Sequence, residues 1–185
     1  ESEEEQEEIS IKVHQNNIYL YSGINHNLAL EFNIEFKKLE EKMLNISSTH
    51  SCPPPEIIIH INSEGGELYA ALSIVGTICD SKVPTKSIIE GWAASAATLI
   101  SIVCDHRIIR KHSHMLIHQL SGGLTGKYNE CKDELQQQSQ LMKVMIDIYT
   151  EYTDINKNKL RNTLKKDILL SSDTCLKYGL VDEIN

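Results

Sequence analysis

Residues Glu56-Ile57-Ile58-Ile59-His60-Ile61 form a short, β-branched, almost unbroken apolar run. A strand with one wet face alternates apolar and polar side chains, so this pattern predicts a strand covered on both faces. Asn62-Ser63-Glu64-Gly65-Gly66 follows as a loop. Residues 67–79 then carry Leu68, Ala71, Leu72, Val75 and Ile78 on one helical face. The unit recurs: 85–89 reads as a strand, Gly91 as a corner, and a helix starts at Ser95. Successive strand–loop–helix units bury their apolar sides by laying helices on a largely parallel sheet, which makes the chain α/β.

The flanking segments fit that class. Ile9, Ile11 and Val13 alternate with polar residues as in a half-buried strand, Asn16-Asn17 is a turn, and Ile18-Tyr19-Leu20-Tyr21 is a second strand. Leu28, Phe32, Phe36, Leu39 and Met43 recur at helical spacing and predict a helix over 28–44, followed by a proline-closed loop over 47–55. Ile108-Ile109 and Met115-Leu116-Ile117 read as short strands around a polar turn. A long helix over 127–152 is polar first and apolar later, as in a helix that projects from the globule and finds its cover in another subunit. Thr153 or Asp154 is expected to cap a short helix reaching about residue 164. Ser171 or Ser172 is expected to cap the last helix, which ends at Tyr178-Gly179, and Leu180-Val181 reads as a closing strand. No linker interrupts this order. Residues 9–185 read as one domain behind an acidic, solvated and disordered head over 1–8.

Composition removes several function classes. The 185 residues suffice for one sizeable core. The net charge of -8 argues against nucleic acid as a partner, because phosphate binding needs clustered Lys and Arg. Five cysteines, an odd number without C-x-x-C, argue against a disulfide scaffold or a thiolate zinc site. Reduced thiols and an acidic start place the expected location in a cytoplasm or an organellar matrix. The longest mainly apolar run, 92–104, is shorter than the roughly 20 residues that span a bilayer, so it reads as a core helix and no membrane partner is expected.

The chemistry centres on Gly91-Trp92-Ala93-Ala94-Ser95-Ala96-Ala97. A serine at a strand-to-helix corner presents its hydroxyl outward, and the helix behind it aims unpaired N–H groups back at it. The corner resembles that of serine hydrolases, although G-x-S-x-G is absent. By itself a serine among alanines is more often a buried helix residue. His118 is the best candidate base, at a strand end before the glycine-rich Leu120–Gly126 stretch. His112, His114 and His118 would share one strand face, but no carboxylate or cysteine lies at ligand spacing, so no metal and no cofactor is expected. Backbone N–H groups of Gly66 and Ala96 are candidate oxyanion donors. The acid is Asp105, Asp154, Asp167 or Asp182 by residue type, and spacing selects none of them.

A family resemblance narrows the choice. Asn62-Ser63-Glu64-Gly65-Gly66 is similar to the N-S-P-G-G loop of the ClpP family of self-compartmentalising serine peptidases. Ala93-Ala94-Ser95-Ala96-Ala97 resembles its A-A-S-M-A/G corner, and Met115-Leu116-Ile117-His118-Gln119 its M-I-H-Q strand. Gly122-Gly123 with Gly126 resembles its G-G-x-x-G stretch, and Ser171-Ser172 through Asp182 its C-terminal ending. The likeness covers roughly residues 16–184. It implies a ClpP/crotonase-like fold of repeated β-β-α units with a protruding handle helix over 127–152. It further implies a triad of Ser95, His118 and Asp167, oxyanion donors at Gly66 and Ala96, and substrate pairing along Gly122, Gly123 and Leu124. The implied activity is cleavage of unfolded or threaded polypeptides inside paired heptameric rings of identical subunits. The handle's Glu130 and Lys166 fit an acid–base pair that family members often carry.

The chain also departs from the family. Glu64 replaces the usual proline and Ala96 the usual methionine. Two residues are missing between Ser95 and His118, and Ile168 stands where a charged or aromatic residue is common. Ile58, His60 and Asp80 occupy positions where aromatic or apolar residues receive the partner ATP-dependent unfoldase, which weighs against such a partner here. Two other readings compete with a peptidase: a catalytically silent subunit of a mixed ring, and an acyl-CoA enzyme of the related crotonase fold.

Overall fold

A computed structural model describes residues 11–185; the acidic head and Ile9 lie outside the described residues. Strands β1 (Ile11–His14) and β2 (Asn17–Leu20) form an antiparallel hairpin, and β2 runs parallel to β3 (Ile57–Ser63). Next comes β4 (Thr85–Ala94), parallel to β3. The main sheet continues through β5 (His106–Ile109) to β8 (Glu183–Ile184). The far end of β4 pairs instead with β6 (His114–Leu116), which pairs with β7 (Leu170–Ser171).

β4 therefore serves two partners. Residues 86–89 pair with β5 and residues 92–94 with β6. Between them, at Gly91, the amide leaves the ladder and donates to the buried Ser113 Oγ at 2.7 Å. The strand expected to stop at residue 89 thus continues to Ala94, and the corner lies at Ser95 rather than Gly91.

One sheet face is packed by α1 (His26–His50), α2 (Leu68–Cys79) and α3 (Ala96–Ile102). Asn25 caps α1 by accepting from Leu28 N at 2.9 Å. Leu28, Phe32, Phe36, Leu39 and Met43 then point into the core, as their spacing predicts. The helix runs six residues beyond the expected residue 44, to His50, and is closed by Ser51 in the left-handed region (φ 52), whose N–H returns to Ser47 O. Ile57, Ile59 and Ile61 are fully buried beneath these helices, each stabilising by about 1.5–3 kcal/mol.

The other face of β3, expected to be covered too, carries no helix over His60 among the described residues. Its residues are screened by a polar and aromatic cluster instead. His60 stacks on Tyr19 at 4.4 Å between centroids, meets Asn17 Oδ1 at 2.9 Å and lies 3.2 Å from Glu90. Tyr21 and Arg110 also donate to Glu90. Burial opposes its charge, but these donors outweigh burial and hold the Glu90 carboxyl below its ordinary range. Burial, then the bond to Glu90, pushes the Tyr21 phenol up to about 12.

The long helix α4 (Tyr128–Tyr152) has an exposed first half and buries Met145 and Tyr149 against α3. At 1.5 Å per residue its 25 residues extend about 37 Å. α5 (Lys157–Leu164) is capped by Asn156, which accepts from Asn158 N. Thr153 and Asp154 do not cap it: the Thr153 hydroxyl returns to Tyr149 O of the outgoing helix, and Asp154 lies against the Gly179 turn. α6 (Ser172–Lys177) has the expected Ser171 cap. Leu180 and Val181 are buried but not a strand; the closing strand forms two residues later, where the chain reaches β5.

Candidate active site

Ser95 joins β4 to α3 with φ 54 and ψ -126, a conformation that side-chain-bearing residues rarely adopt. The surrounding bonds hold it there. Its N–H donates to Leu116 O of β6 at 2.8 Å. Its carbonyl accepts from Thr98 N at 3.1 Å and Thr98 Oγ1 at 2.5 Å. Thr98 Oγ1 also meets the hydroxyl of Tyr149, so a buried chain of contacts links α4 to the corner. Burial pushes the Tyr149 phenol above its ordinary range, which keeps it protonated and able to donate.

The loop 64–66 lies directly against this corner. A Cβ on Gly65, at φ +92, would come within 2.5 Å of Ala94 O and 2.8 Å of Ser95 Cβ. One on Gly66 would meet Ile24 O at 2.1 Å. The glycine pair is required by close backbone approach on both sides, to the Ser95 corner and to Ile24. Ile24 N donates to Gly65 O and Glu67 N to Ile24 O, both at 2.8 Å. The N–H groups of Gly66 and Ala96 have no backbone partner among the described residues.

Ser95, His118, Gly65 and Gly66 line one cleft of about 710 Å3, completed by residues 22–25, Asn27, Glu64 and Ser121. A second, smaller pocket of about 50 Å3 is lined by Gly66, Ser95 and Ala96 with Leu68, Leu120 and Met145. Ser95 is shared by both.

His118 follows β6 by two residues, with its side chain 21% exposed. Its Nδ1 lies 3.7 Å from Asp167 Oδ1, within ion-pair range but longer than a hydrogen bond. The Asp167 side chain is 83% exposed, just beyond α5. The other candidate carboxylates are placed elsewhere. Asp105 accepts from Thr85 N and Oγ1. Asp182 forms a two-pronged pair with Arg107, whose bonds overcome the effect of burial and hold its carboxyl below the ordinary range. Asp154 sits at the Gly179 turn.

Other expected site residues are more peripheral. Gly122, Gly123 and Leu124 lie in an exposed stretch without regular structure and line neither pocket; their neighbour Ser121 lines both. Glu130 accepts from Lys127 N at 2.9 Å and forms no ion pair with Lys166 within the chain. His112 lies in a turn and His114 on β6, and no group of three potential metal ligands occurs among the described residues. No described helix is long and apolar enough to cross a membrane. Sequence reasoning missed Gly65, Ile24, Thr98 and Tyr149. The adjacent glycines were the available sign of a close approach, but nothing local marks Thr98 and Tyr149 as partners.

Comparison with known proteins agrees with this architecture. The family model for Clp protease matches residues 2–185. The ATP-dependent Clp protease proteolytic subunit of Deinococcus radiodurans is 33% identical over 134 residues, covering 71% of this chain and 66% of that protein. The proteolytic subunit of Borrelia garinii is 33% identical over 131 residues, covering 70% and 68%. The chain thus spans about two thirds of these relatives' length. A mutant of ClpP1 from Listeria monocytogenes superposes with a TM-score of 0.79 at 25% identity, covering 92% of this chain and 91% of that one.

Proposed function

The chain belongs to the Clp protease family, and from that premise we propose that it is a serine endopeptidase subunit using Ser95, His118 and Asp167. In this mechanism the Ser95 hydroxyl attacks the peptide carbonyl as His118 takes its proton. His118 passes that proton to the departing amine, leaving an acyl group on Ser95. Water activated by the same imidazole then releases the acid product. Asp167 orients the imidazole and stabilises its cation. The N–H groups of Gly66 and Ala96 hold the oxyanion, each donor contributing about 10²–10³ in rate.

The observation that carries this reading is the convergence of the strained Ser95 corner and His118 on one cleft, with Asp167 as the carboxylate beside His118. The proposed substrates are unfolded polypeptides admitted to a chamber of stacked heptameric rings. The exposed first half of α4, with Tyr128 and Leu135 uncovered, supports assembly through that helix. No unfoldase is included: His60, at a position where the resemblance places an apolar docking surface, is engaged by Tyr19, Asn17 and Glu90.

A fluorophosphonate probe should label the assembled protein at Ser95 and leave Ser95→Ala unlabelled. An unlabelled wild type, or equal labelling of both, refutes the proposal. The 3.7 Å separation and the exposure of Asp167 favour a second reading, a catalytically silent subunit. Intact casein after prolonged incubation with an assembled, unlabelled oligomer would select it.

A further inference from the structure

We infer that Glu64 makes the cleft beside Ser95 a subsite for a basic side chain, so that the enzyme prefers Lys or Arg at one substrate position near the scissile bond. The inference rests on the serine-peptidase reading and adds a substrate class to it.

Glu64 carries the one acidic side chain lining the large cleft, and no lysine or arginine lines it. Its carboxylate has no hydrogen bond or ion pair among the described residues. The nearby Glu67 is differently placed, with His26 at 3.3 Å from its carboxylate. Glu64 is therefore the uncompensated negative charge of a cleft otherwise walled by asparagine, serine and glycine residues together with Ile24 and His118.

The loop that carries Glu64 is built rather than loose. The buried Ser63 Oγ donates to Ser22 O at 2.7 Å and accepts from Gly65 N at 3.1 Å. Ile24 N donates to Gly65 O on the other side of Glu64. These bonds tie both neighbours of Glu64 to residues 22–24. Gly23 leaves the space in which the carboxylate sits, since a Cβ there would lie 3.0 Å from Glu64 Oε1.

The two pockets divide the work. The small one beyond Ser95 is lined by Leu68, Leu120 and Met145 together with Gln119 and Ser121, and carries no charged side chain. A peptide crossing Ser95 then places a side chain from the other side of the reacting bond in the large cleft with Glu64. A long cationic side chain reaches the carboxylate there, while an acidic one meets uncompensated like charge. The carboxylate is solvent-exposed, so the attraction is screened and the discrimination moderate.

The test is a positional scan with internally quenched peptides on the assembled protein, comparing Lys, Arg, Gln and Glu at each position flanking the bond. Wild type should cut the Lys or Arg peptide about 5- to 10-fold faster than the Glu peptide at one position, by kcat/KM. Glu64→Gln should bring that ratio close to one and Glu64→Lys should invert it. Using ratios within each variant cancels changes in overall activity. The wild-type preference should also shrink as salt is raised. No position with a Lys or Arg preference, or a preference that survives Glu64→Gln, overturns the inference while leaving the peptidase reading intact. If the wild type cuts none of the peptides and Ser95 resists the fluorophosphonate, the peptidase reading itself has failed and this inference falls with it.

Discussion

The contact between Thr98 and Tyr149 lends itself to a double-mutant cycle. Both residues are buried, at 0% and 1% exposure. Thr98 has one hydroxyl proton and points it at Ser95 O, so the Tyr149 hydroxyl must donate to Thr98 Oγ1. Tyr149→Phe removes that donor but leaves Thr98 bonded to Ser95, at a cost of about 1 kcal/mol. Thr98→Val keeps the shape but removes both bonds. Ser95 O retains only the Thr98 N–H, and a buried phenol loses its partner. The orphaned phenol costs about 1–3 kcal/mol, and the lost bond to Ser95 brings the sum to about 2–4 kcal/mol. In the Thr98→Val background, Tyr149→Phe should then be neutral or stabilising, because it removes the orphan. Urea unfolding at fixed protein concentration, followed by the single tryptophan, Trp92, measures each corner of the cycle. Additivity of the two substitutions within about 0.5 kcal/mol would refute the hydrogen-bond assignment.

Gly65→Ala should destabilise by about 2 kcal/mol or more, since positive φ and two sub-3 Å contacts coincide there. Normal unfolding together with normal Ser95 labelling would contradict that packing. Glu40, Glu90 and Asp182 have depressed folded-state values: burial opposes them, but Lys82 and Lys37, the Tyr21 cluster, and Arg107 respectively donate to them. Their stabilisation is complete above the ordinary carboxylate range of about 4 and is lost as pH falls through the lower folded values. Arg107→Ala should flatten this acid loss, and an unchanged profile would exclude the Asp182 contribution. Burial pushes the Cys104 and Cys175 thiols up to about 12. The exposed Cys52 and Cys79 should therefore react first with a disulfide reagent, and rapid reaction of all five thiols would show that the core opens.

Helix positions were readable where one periodicity ran without competition. Phe32, Phe36, Leu39 and Met43 announce α1, and Leu68 through Ile78 announce α2. Strand cover was less readable. The apolar run over 56–61 predicts two packed faces, yet His60 is buried by Tyr19, Asn17 and Glu90 rather than by a helix layer. Burial by side chains distant in sequence leaves no local pattern. The candidate site was legible as a set of residue types, with resemblance selecting Asp167 from four aspartates. The positions of Asp105, Asp182 and Asp154 against Thr85, Arg107 and Gly179 supply a separate, spatial reason for setting those three aside.

By itself, the sequence determined the α/β class and the main helices, while the corner at Ser95 rather than Gly91 came from the tertiary structure. The class and the helices follow from periodicity and local chain chemistry, which act over a few residues. The tertiary structure decided where β4 exchanges β5 for β6, how Gly65 presses against Ser95, and which carboxylate faces His118. It also brought Glu64 beside Gly23 and Tyr149 against Thr98, across 41 and 51 positions of chain. Such contacts depend on how the sheet and helices pack in space, and no stretch of neighbouring residues encodes them alone.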